Sequence, residues 1–286
     1  MTLQLIADSG STKTDWCLVE GRTPVATLST SGMNPVTLSR EQCAQVVGGE
    51  LLPQLATALG PEAARSIQSV SFYGAGCLGA YARGMEQVLQ EHFPKAALQV
   101  STDLLGAARA LFGRNEGIAC ILGTGANTGR YDGCQIADNI PPMGYILGDE
   151  GSGAALGRMF LGALYKRRLP EALLADFEQQ TGLTLAAIIE RVYRQPMANR
   201  FLASLSPFIA SHMQLPQLQA LVRENFQAFF RHSIRPYACS HAEVGIVGSI
   251  ASVYKQWLNE TASEEGIAIR QIMPKPMQGL IAYHCS

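Results

Sequence analysis

Short apolar runs broken by small-residue turns set the rhythm of the first third of the chain. Leu3–Ala7 is an apolar run that ends at Asp8, Asp15–Val19 follows, and a Gly21-Arg22 turn leads into Pro24–Ser29. This pattern predicts a strand meander whose first turn, DSGSTKT, is rich in small residues. Ser39 stands in a capping position ahead of Val46, Val47, Leu51, Leu52, Leu55 and Leu59, so a helix is expected over 40–59, kinked at Pro53. Strands at Ser69–Tyr73 and Ala97–Val100 then alternate with helices over about 80–92 and 104–112. Strand Ile118–Leu122 opens a second glycine-rich turn, GTGANTG, and a hairpin is expected over 128–137.

From Ser152 to Ala238 the pattern is helical, with one stripe at Leu156, Phe160, Leu161 and Leu164 and another at Ile188, Ile189 and Val192. Val244–Val247 reads as a strand, Gly248-Ser249 as a turn, 250–259 as a helix and Ile267–Ile272 as the last strand. A strand meeting a Gly/Ser/Thr turn occurs near 8–14 and again near 123–129, a crude internal echo. Two such halves suit a two-lobed α/β protein, with a first lobe over 1–106, a second, helix-rich lobe over 107–286, and a tail, 274–286, that packs back on the first.

Composition narrows the function. The chain has 286 residues, nearly half of them apolar and 16% charged, which is material for a sizeable core. A net charge of −1 gives no electrostatic case for nucleic acid or an anionic membrane. The densest basic patch, Lys166-Arg167-Arg168, reads as the solvated C-terminal end of a helix. No 18-residue apolar run is present, and the apolar stretch at the start meets Asp8 too soon for a secretory signal. The seven cysteines are scattered at least 14 apart, with no metal or redox spacing, and point to reduced core thiols and a cytoplasmic setting.

Five motifs could carry chemistry. In Asp8–Thr14 a strand delivers an acid into a turn whose backbone N–H groups can converge on phosphate oxygens. Asp8 can hold Mg²⁺, and the hydroxyls at 9, 11, 12 and 14 can add hydrogen bonds. The plain alternative is a hairpin turn; no Walker loop occurs. Gly123-Thr124-Gly125-Ala126-Asn127 is a second cradle at a strand end, and two such loops could hold one nucleotide's β- and γ-phosphates. Gly248-Ser249 joins a strand to a helix N-terminus, where a nucleotide or nothing at all could lie. Asp103, after Ser101-Thr102, could accept the hydroxyl proton of a phosphoryl acceptor or simply cap a helix. Gly148-Asp149-Glu150-Gly151-Ser152-Gly153 offers carboxylates for sugar hydroxyls, or a cap from Ser152 or Asp149.

Gly74-Ala75-Gly76-Cys77-Leu78-Gly79 is a complete G-x-G-x-x-G between a strand and a helix, the pattern of a dinucleotide site. Its distance to Asp103 is long, it lies behind a meander that such a domain does not need, and it leaves the other two glycine turns unexplained. A turn that lines the sugar side of a cleft, or that simply reverses the chain, accounts for Gly74–Gly76 better.

The ordered set D-x-G-x-T at 8–12, S-G-x-N at 31–34, T-D at 102–103, G-T-G-x-N at 123–127 and G-D-E-G-S at 148–152 resembles the actin-like ATPase and sugar-kinase superfamily. More narrowly, it is similar to the family joining N-acetylglucosamine kinase with the BadF/BadG/BcrA/BcrD-type ATPases, from Asp8 to about Ile250. The resemblance implies two ribonuclease-H-like lobes that close over a nucleotide cleft, often in a homodimer. It implies Asp103 as the base facing a sugar 6-hydroxyl. Asn34, Gly76, Thr124, Asn127, Met143 and Asp149 would contact the sugar. Gly10, Ser11, Thr12 and Thr14 would surround the phosphates with Gly123, Thr124 and Gly125, Mg²⁺ would sit near Asp8, and Gly248 and Ser249 would approach the nucleotide. Two departures stand out. Positions 9 and 11 are Ser where the kinase pattern has more glycine, and Met143 replaces a tryptophan; a thioether packs on a sugar face without a flat π surface.

The expected activity is therefore ATP- and Mg²⁺-dependent phosphorylation of an alcohol group on a small sugar, an N-acetylhexosamine such as N-acetylglucosamine. Two other functions compete. One is an ATPase coupled to a protein partner, of the 2-hydroxyacyl-CoA dehydratase activator type; those carry an iron–sulfur cluster, and Met143–Gly153 holds no cysteine. The other is a non-catalytic sugar or nucleotide sensor, against which both Asp8 and Asp103 are in place.

Overall fold

The computed structural model describes residues 3–10, 12–238 and 243–285. The chain divides into two compact units, Met1–Asn115 with Gly133–Ile136 and Pro276–Ser286, and Glu116–Asp132 with Ala137–Lys275.

The first unit is built on strands β1 (Leu3–Ser9), β2 (Lys13–Glu20), β3 (Thr23–Ser31), β4 (Ile67–Gly74) and β5 (Ala97–Thr102), ordered β3-β2-β1-β4-β5. The meander β1–β3 is antiparallel, while β4 and β5 run parallel to β1. The stretch 40–59 forms α1 (Arg40–Val46), a π-helical turn over Val47–Leu51, and α2 (Leu52–Leu59). Pro53 has no N–H to give residue 49, and the Leu52 N–H instead reaches back to the Val47 carbonyl, so the ladder widens just before the proline rather than kinking at it. Helices α3 (Ala63–Ser66) and α4 (Ala80–His92) complete the crossovers, and α5 (Asp103–Phe112) follows β5. One face of the sheet packs Leu5, Ala7, Trp16, Leu18 and Phe72 against α1, α2 and α4; alternation sends Ile6, Cys17, Val19 and Tyr73 to the other.

The second unit repeats this plan. Strands β6 (Gly117–Leu122), β7 (Ala126–Tyr131) and β8 (Ile136–Asp138, its first residue counted with the first unit) form the meander, and β9 (Val244–Val247) and β10 (Ile269–Met273) complete the order β10-β9-β6-β7-β8. Because Leu122 pairs with Ala126, the turn is only Gly123–Gly125, and the hairpin begins earlier than the sequence suggests. After the short α6 (Gly144–Leu147), the helical stretch resolves into α7 (Gly153–Tyr165), α8 (Glu171–Thr181), α9 (Leu185–Tyr193), α10 (Ala198–Ala203), α11 (Ser206–Ser211) and α12 (Pro216–Phe229), followed by a π-helical turn over Phe230–Ile234 and a 3₁₀ turn over Arg235–Tyr237. The α7 stripe is buried, and Lys166-Arg167-Arg168 is exposed beyond its end; on α9, Ile188 is buried but Ile189 faces solvent. The single helix expected over 250–259 is two, α13 (Ser249–Val253) and α14 (Lys255–Glu264), broken at Tyr254. That tyrosine is fully buried and its hydroxyl donates to the Ser206 carbonyl at 2.9 Å, an anchor that outweighs helix continuity. The last helix, α15 (Met277–His284), belongs to the first unit, where Leu280 packs among Ile6, Cys17, Val19, Tyr73 and Ala110. Among the described residues, no helix is long and apolar enough to cross a membrane.

Candidate active site

In the first unit the parallel strands end together. Asp8 pairs in register with Tyr73, Tyr73 with Ser101, and Gly74 with Thr102, so the three turns that follow share one sheet edge. Ligands in such folds bind at the carboxyl ends of parallel strands. Asp8 is half-buried near the end of β1. The Gly10 N–H donates to the Lys13 carbonyl at 3.0 Å and closes the turn, leaving Gly10 and Thr12 exposed; Ser11 lies outside the described residues. Thr14 is fully buried: its hydroxyl lies 2.7 Å from that of Ser9 and donates to the Ser31 carbonyl at 3.1 Å.

Asn34 and Gly76 meet. Gly76 has φ +76°, and a Cβ there would lie 2.4 Å from Asn34 Oδ1, so only glycine fits. Asn34 Oδ1 also accepts the Val36 N–H at 3.0 Å, which fixes the loop. Asp103 opens α5. The cap itself is Thr102, whose hydroxyl accepts the Leu105 N–H at 3.2 Å, and Asp103 Oδ1 accepts the Leu104 N–H at 2.9 Å. Burial pushes the Asp103 carboxyl up to about 6, although the Leu104 N–H pulls it down. Burial pushes the thiol of Cys77, next to Gly76 in sequence, up to about 12, and the Asp103 charge adds to the effect. The unit therefore gathers Asn34, Gly76 and Asp103 at the strand ends.

In the second unit the Gly123–Gly125 turn sits on the start of α7: the Gly153 N–H donates to the Gly123 carbonyl at 2.9 Å and the Ala154 N–H to the Thr124 carbonyl at 3.1 Å. A Cβ on Gly125 would lie 3.0 Å from Asp149 Oδ2. Asp149 is buried, with φ +56°. Burial raises its carboxyl to about 6 against the Ala126 and Gly144 N–H groups, which bond the carboxylate and lower it, while the neighbouring Glu150 raises it further. Met143 is 63% exposed with φ +62°, immediately before α6. Asn127 Oδ1 accepts from Thr128 N–H at 2.9 Å and from Asn139 Nδ2 at 3.0 Å. Gly248 presses against the end of β6, just before the Gly123–Gly125 turn: a Cβ there would lie 2.1 Å from the Leu122 carbonyl oxygen; Ser249 is exposed beside it. Thr124, Gly125, Asn127 and Asp149 thus share one cluster, with Gly248 behind it.

Sequence reasoning missed the groups that hold this cluster. Asn225 accepts the Gly151 N–H at 3.0 Å and gives its amide to the Ser152 carbonyl at 3.3 Å. The Tyr237 hydroxyl lies 2.9 Å from that of Thr128 and accepts the Ile140 N–H at 3.0 Å. Their partners lie 73 to 109 residues away, and no local pattern marks such pairs.

Two sheets of the same strand order, each opening on a small-residue turn, define the actin-like ATPase fold class. Solved structures agree on the fold. A ROK hexokinase of Thermus thermophilus is 13% identical with a TM-score of 0.52, covering 99% of this chain and 97% of that one. A protein of Chromobacterium violaceum, provisionally named an N-acetylglucosamine kinase, is 20% identical with a TM-score of 0.75 over 99% of each chain. A Porphyromonas gingivalis protein with the same provisional name is 45% identical, with a TM-score of 0.95 over 100% of this chain and 99% of that one. The chain belongs to that family of N-acetylglucosamine kinase-like proteins. No family model and no curated protein matches the sequence.

Proposed function

We propose that this protein is an ATP-dependent sugar kinase that phosphorylates an N-acetylhexosamine, with N-acetylglucosamine and its 6-hydroxyl as the leading acceptor. The observation that carries the reading is Asp103, a carboxylate at a strand end whose burial lifts it to about 6, close to the pH at which a general base works best. Family membership at 45% identity over the whole chain supports the kinase class.

Phosphoryl transfer needs positioning and charge neutralisation more than covalent chemistry. Asp103 accepts the proton of the attacking hydroxyl, and the Leu104 N–H on its Oδ1 fixes the carboxylate plane. Asn34 and Gly76 shape the sugar side of the same unit. Gly10 and Thr12 are exposed and supply the phosphate contacts of the first loop, with Ser11 between them in sequence, whereas buried Thr14 braces that loop from beneath. In the second unit the Gly123–Gly125 turn serves phosphate, Asp149 and Asn127 serve sugar hydroxyls beside Thr124, Met143 offers a thioether face, and Gly248 and Ser249 serve the nucleoside.

Mg²⁺ needs only one or two carboxylates beside phosphate oxygens and water. Asp8 fits that requirement, with Asp15 opposite it in the antiparallel register, and no cluster of three or more ligating side chains is present among the described residues. Bound with ATP, the ion would neutralise phosphate charge. A homodimer in the cytoplasm completes the proposal.

The test is ADP release from ATP·Mg²⁺ across amino sugars and hexoses, wild type beside Asp103→Asn. Release that depends on an N-acetylhexosamine and drops by roughly 10²–10⁴ in the variant supports the assignment. Release without sugar would point to an ATPase coupled to a partner, and nucleotide or sugar binding without turnover to a sensor.

A further inference from the structure

On the sheet face that packs against α5 and α15, side chains two residues apart point the same way, so Asp8 shares its face with Ile6, and Tyr73 stands beside it on β4. Tyr73 is fully buried. Its ring also touches the helix that carries Asp103: a Cβ on Gly106, one turn on from that carboxylate, would lie 2.8 Å from Tyr73 Cβ. One residue therefore abuts both the strand of Asp8 and the first turn of α5.

Its hydroxyl is held from two sides. Arg109 Nη1 donates to it at 2.7 Å, and His284 Nε2 of α15 lies at 2.9 Å. A guanidinium can only donate, so the tyrosine oxygen accepts there and its single proton is left for the imidazole. That assigns His284 the neutral form with its proton on Nδ1. Burial, reinforced by the Arg109 charge, pushes His284 down to about 4 and keeps it neutral. The guanidinium lies over the rings of Tyr73 and Tyr283, at 5.7 and 4.9 Å from their centroids. α15 lies tight on α5, since a Cβ on Gly279 would sit 2.3 Å from the Ala110 carbonyl oxygen.

We propose that Tyr73, locked by Arg109 and by His284 from the far end of the chain, is the positioning residue that sets Asp103 against Asp8. The proposal deepens the kinase reading and rests on it. Neither Tyr73 nor His284 touches substrate; each acts through the seat of α5. Small displacements of a reacting group lower rate steeply while leaving binding almost untouched.

The experiment compares Tyr73→Phe, His284→Phe and His284→Gln with wild type, by sugar-dependent ADP release and by hydrogen exchange at the Leu104 and Leu105 amides. Tyr73→Phe keeps the ring and loses only the hydroxyl, so it tests the chain of bonds even if a larger change fails to fold. The expected result is a fall in kcat of about 10-fold with KM for both substrates within about 2-fold, and exchange about 10-fold faster in the first turn of α5. His284→Gln retains an acceptor for the tyrosine proton and restores both readouts. Wild-type kcat and wild-type exchange at these amides in Tyr73→Phe and His284→Phe would overturn the proposal, even if both melt lower, since the bonds then serve stability alone. If wild type releases no ADP with any sugar, the kinase reading fails by itself, and the exchange at Leu104 and Leu105, with or without restoration by glutamine, decides the positioning role.

Discussion

At Asp103 burial opposes ionisation, and this has a kinetic and a thermodynamic consequence that run in opposite directions. In the proposed role of base the carboxylate must be deprotonated, so kcat/KM should rise with pH through about 6 and then level. In Asp103→Asn that acid limb should vanish from the residual rate. For stability, the folded state binds the proton more tightly than the unfolded chain, whose carboxyl titrates near 4. Wild type therefore loses stability as pH rises from about 4 to about 6, and stays lower above it. Asp103→Asn should melt higher than wild type at pH 8, by the equivalent of about 1–3 kcal/mol, and the gain should fade by pH 4. Melting curves at the two pH values check it; an asparagine variant that is less stable at pH 8 would mean that the Leu104 bond outweighs desolvation. What was legible here was local. Asp103, Asn34 and Gly76 each sit in a short motif at a strand end, and the motif survives in the sequence whatever packs on it. Thr14 was legible as a hydroxyl in a phosphate-type turn but not as a buried one whose hydroxyl is taken by the Ser31 carbonyl, 17 residues further on.

At the scale of elements, alternation marked the strands of both sheets and Pro53 marked the break in the first helical stretch, while the break at Tyr254 escaped because a tertiary anchor causes it. Tyr254 leaves its helix to reach Ser206, 48 residues back. The segment from Asp149 to α7 shows the same dependence. Ser152 caps α7 through the Ala155 N–H at 3.1 Å, as Ser-x-x sequences allow, but the turn before the cap is held by Asn225 on α12. Asn225 is buried, and removing its amide leaves the Gly151 N–H without that acceptor. Asn225→Ala should cost about 1–3 kcal/mol in stability, read by thermal melting. Because Asp149 lies two residues before Gly151, the same variant should weaken sugar binding more than nucleotide binding. An unchanged KM for sugar alongside the lost stability would show that the turn holds its shape without the amide.

For the molecule as a whole, the repeated strand order explains why the sequence echo near 8–14 and 123–129 was visible at all: both turns join the first two strands of the same topology. The first unit is not closed by its own contiguous residues, however. Its second face is covered by α5 and by α15, which returns after more than 150 residues to bury Leu280 among Ile6, Val19 and Tyr73. Burying a leucine side chain contributes about 1.5–3 kcal/mol, and Met277 and Ile281 pack there as well. Deleting 276–286 should therefore destabilise the two units unequally. Hydrogen exchange should quicken in β1, β2 and β4, where Ile6, Cys17 and Tyr73 lose their cover, while β6 and β9 stay protected. Equal loss of protection in both sheets would mean that the units unfold as one, and no loss would mean that α15 adds little to the first unit. The unequal outcome follows from where the apolar contacts lie, because a helix that fills one core can be withdrawn without emptying the other.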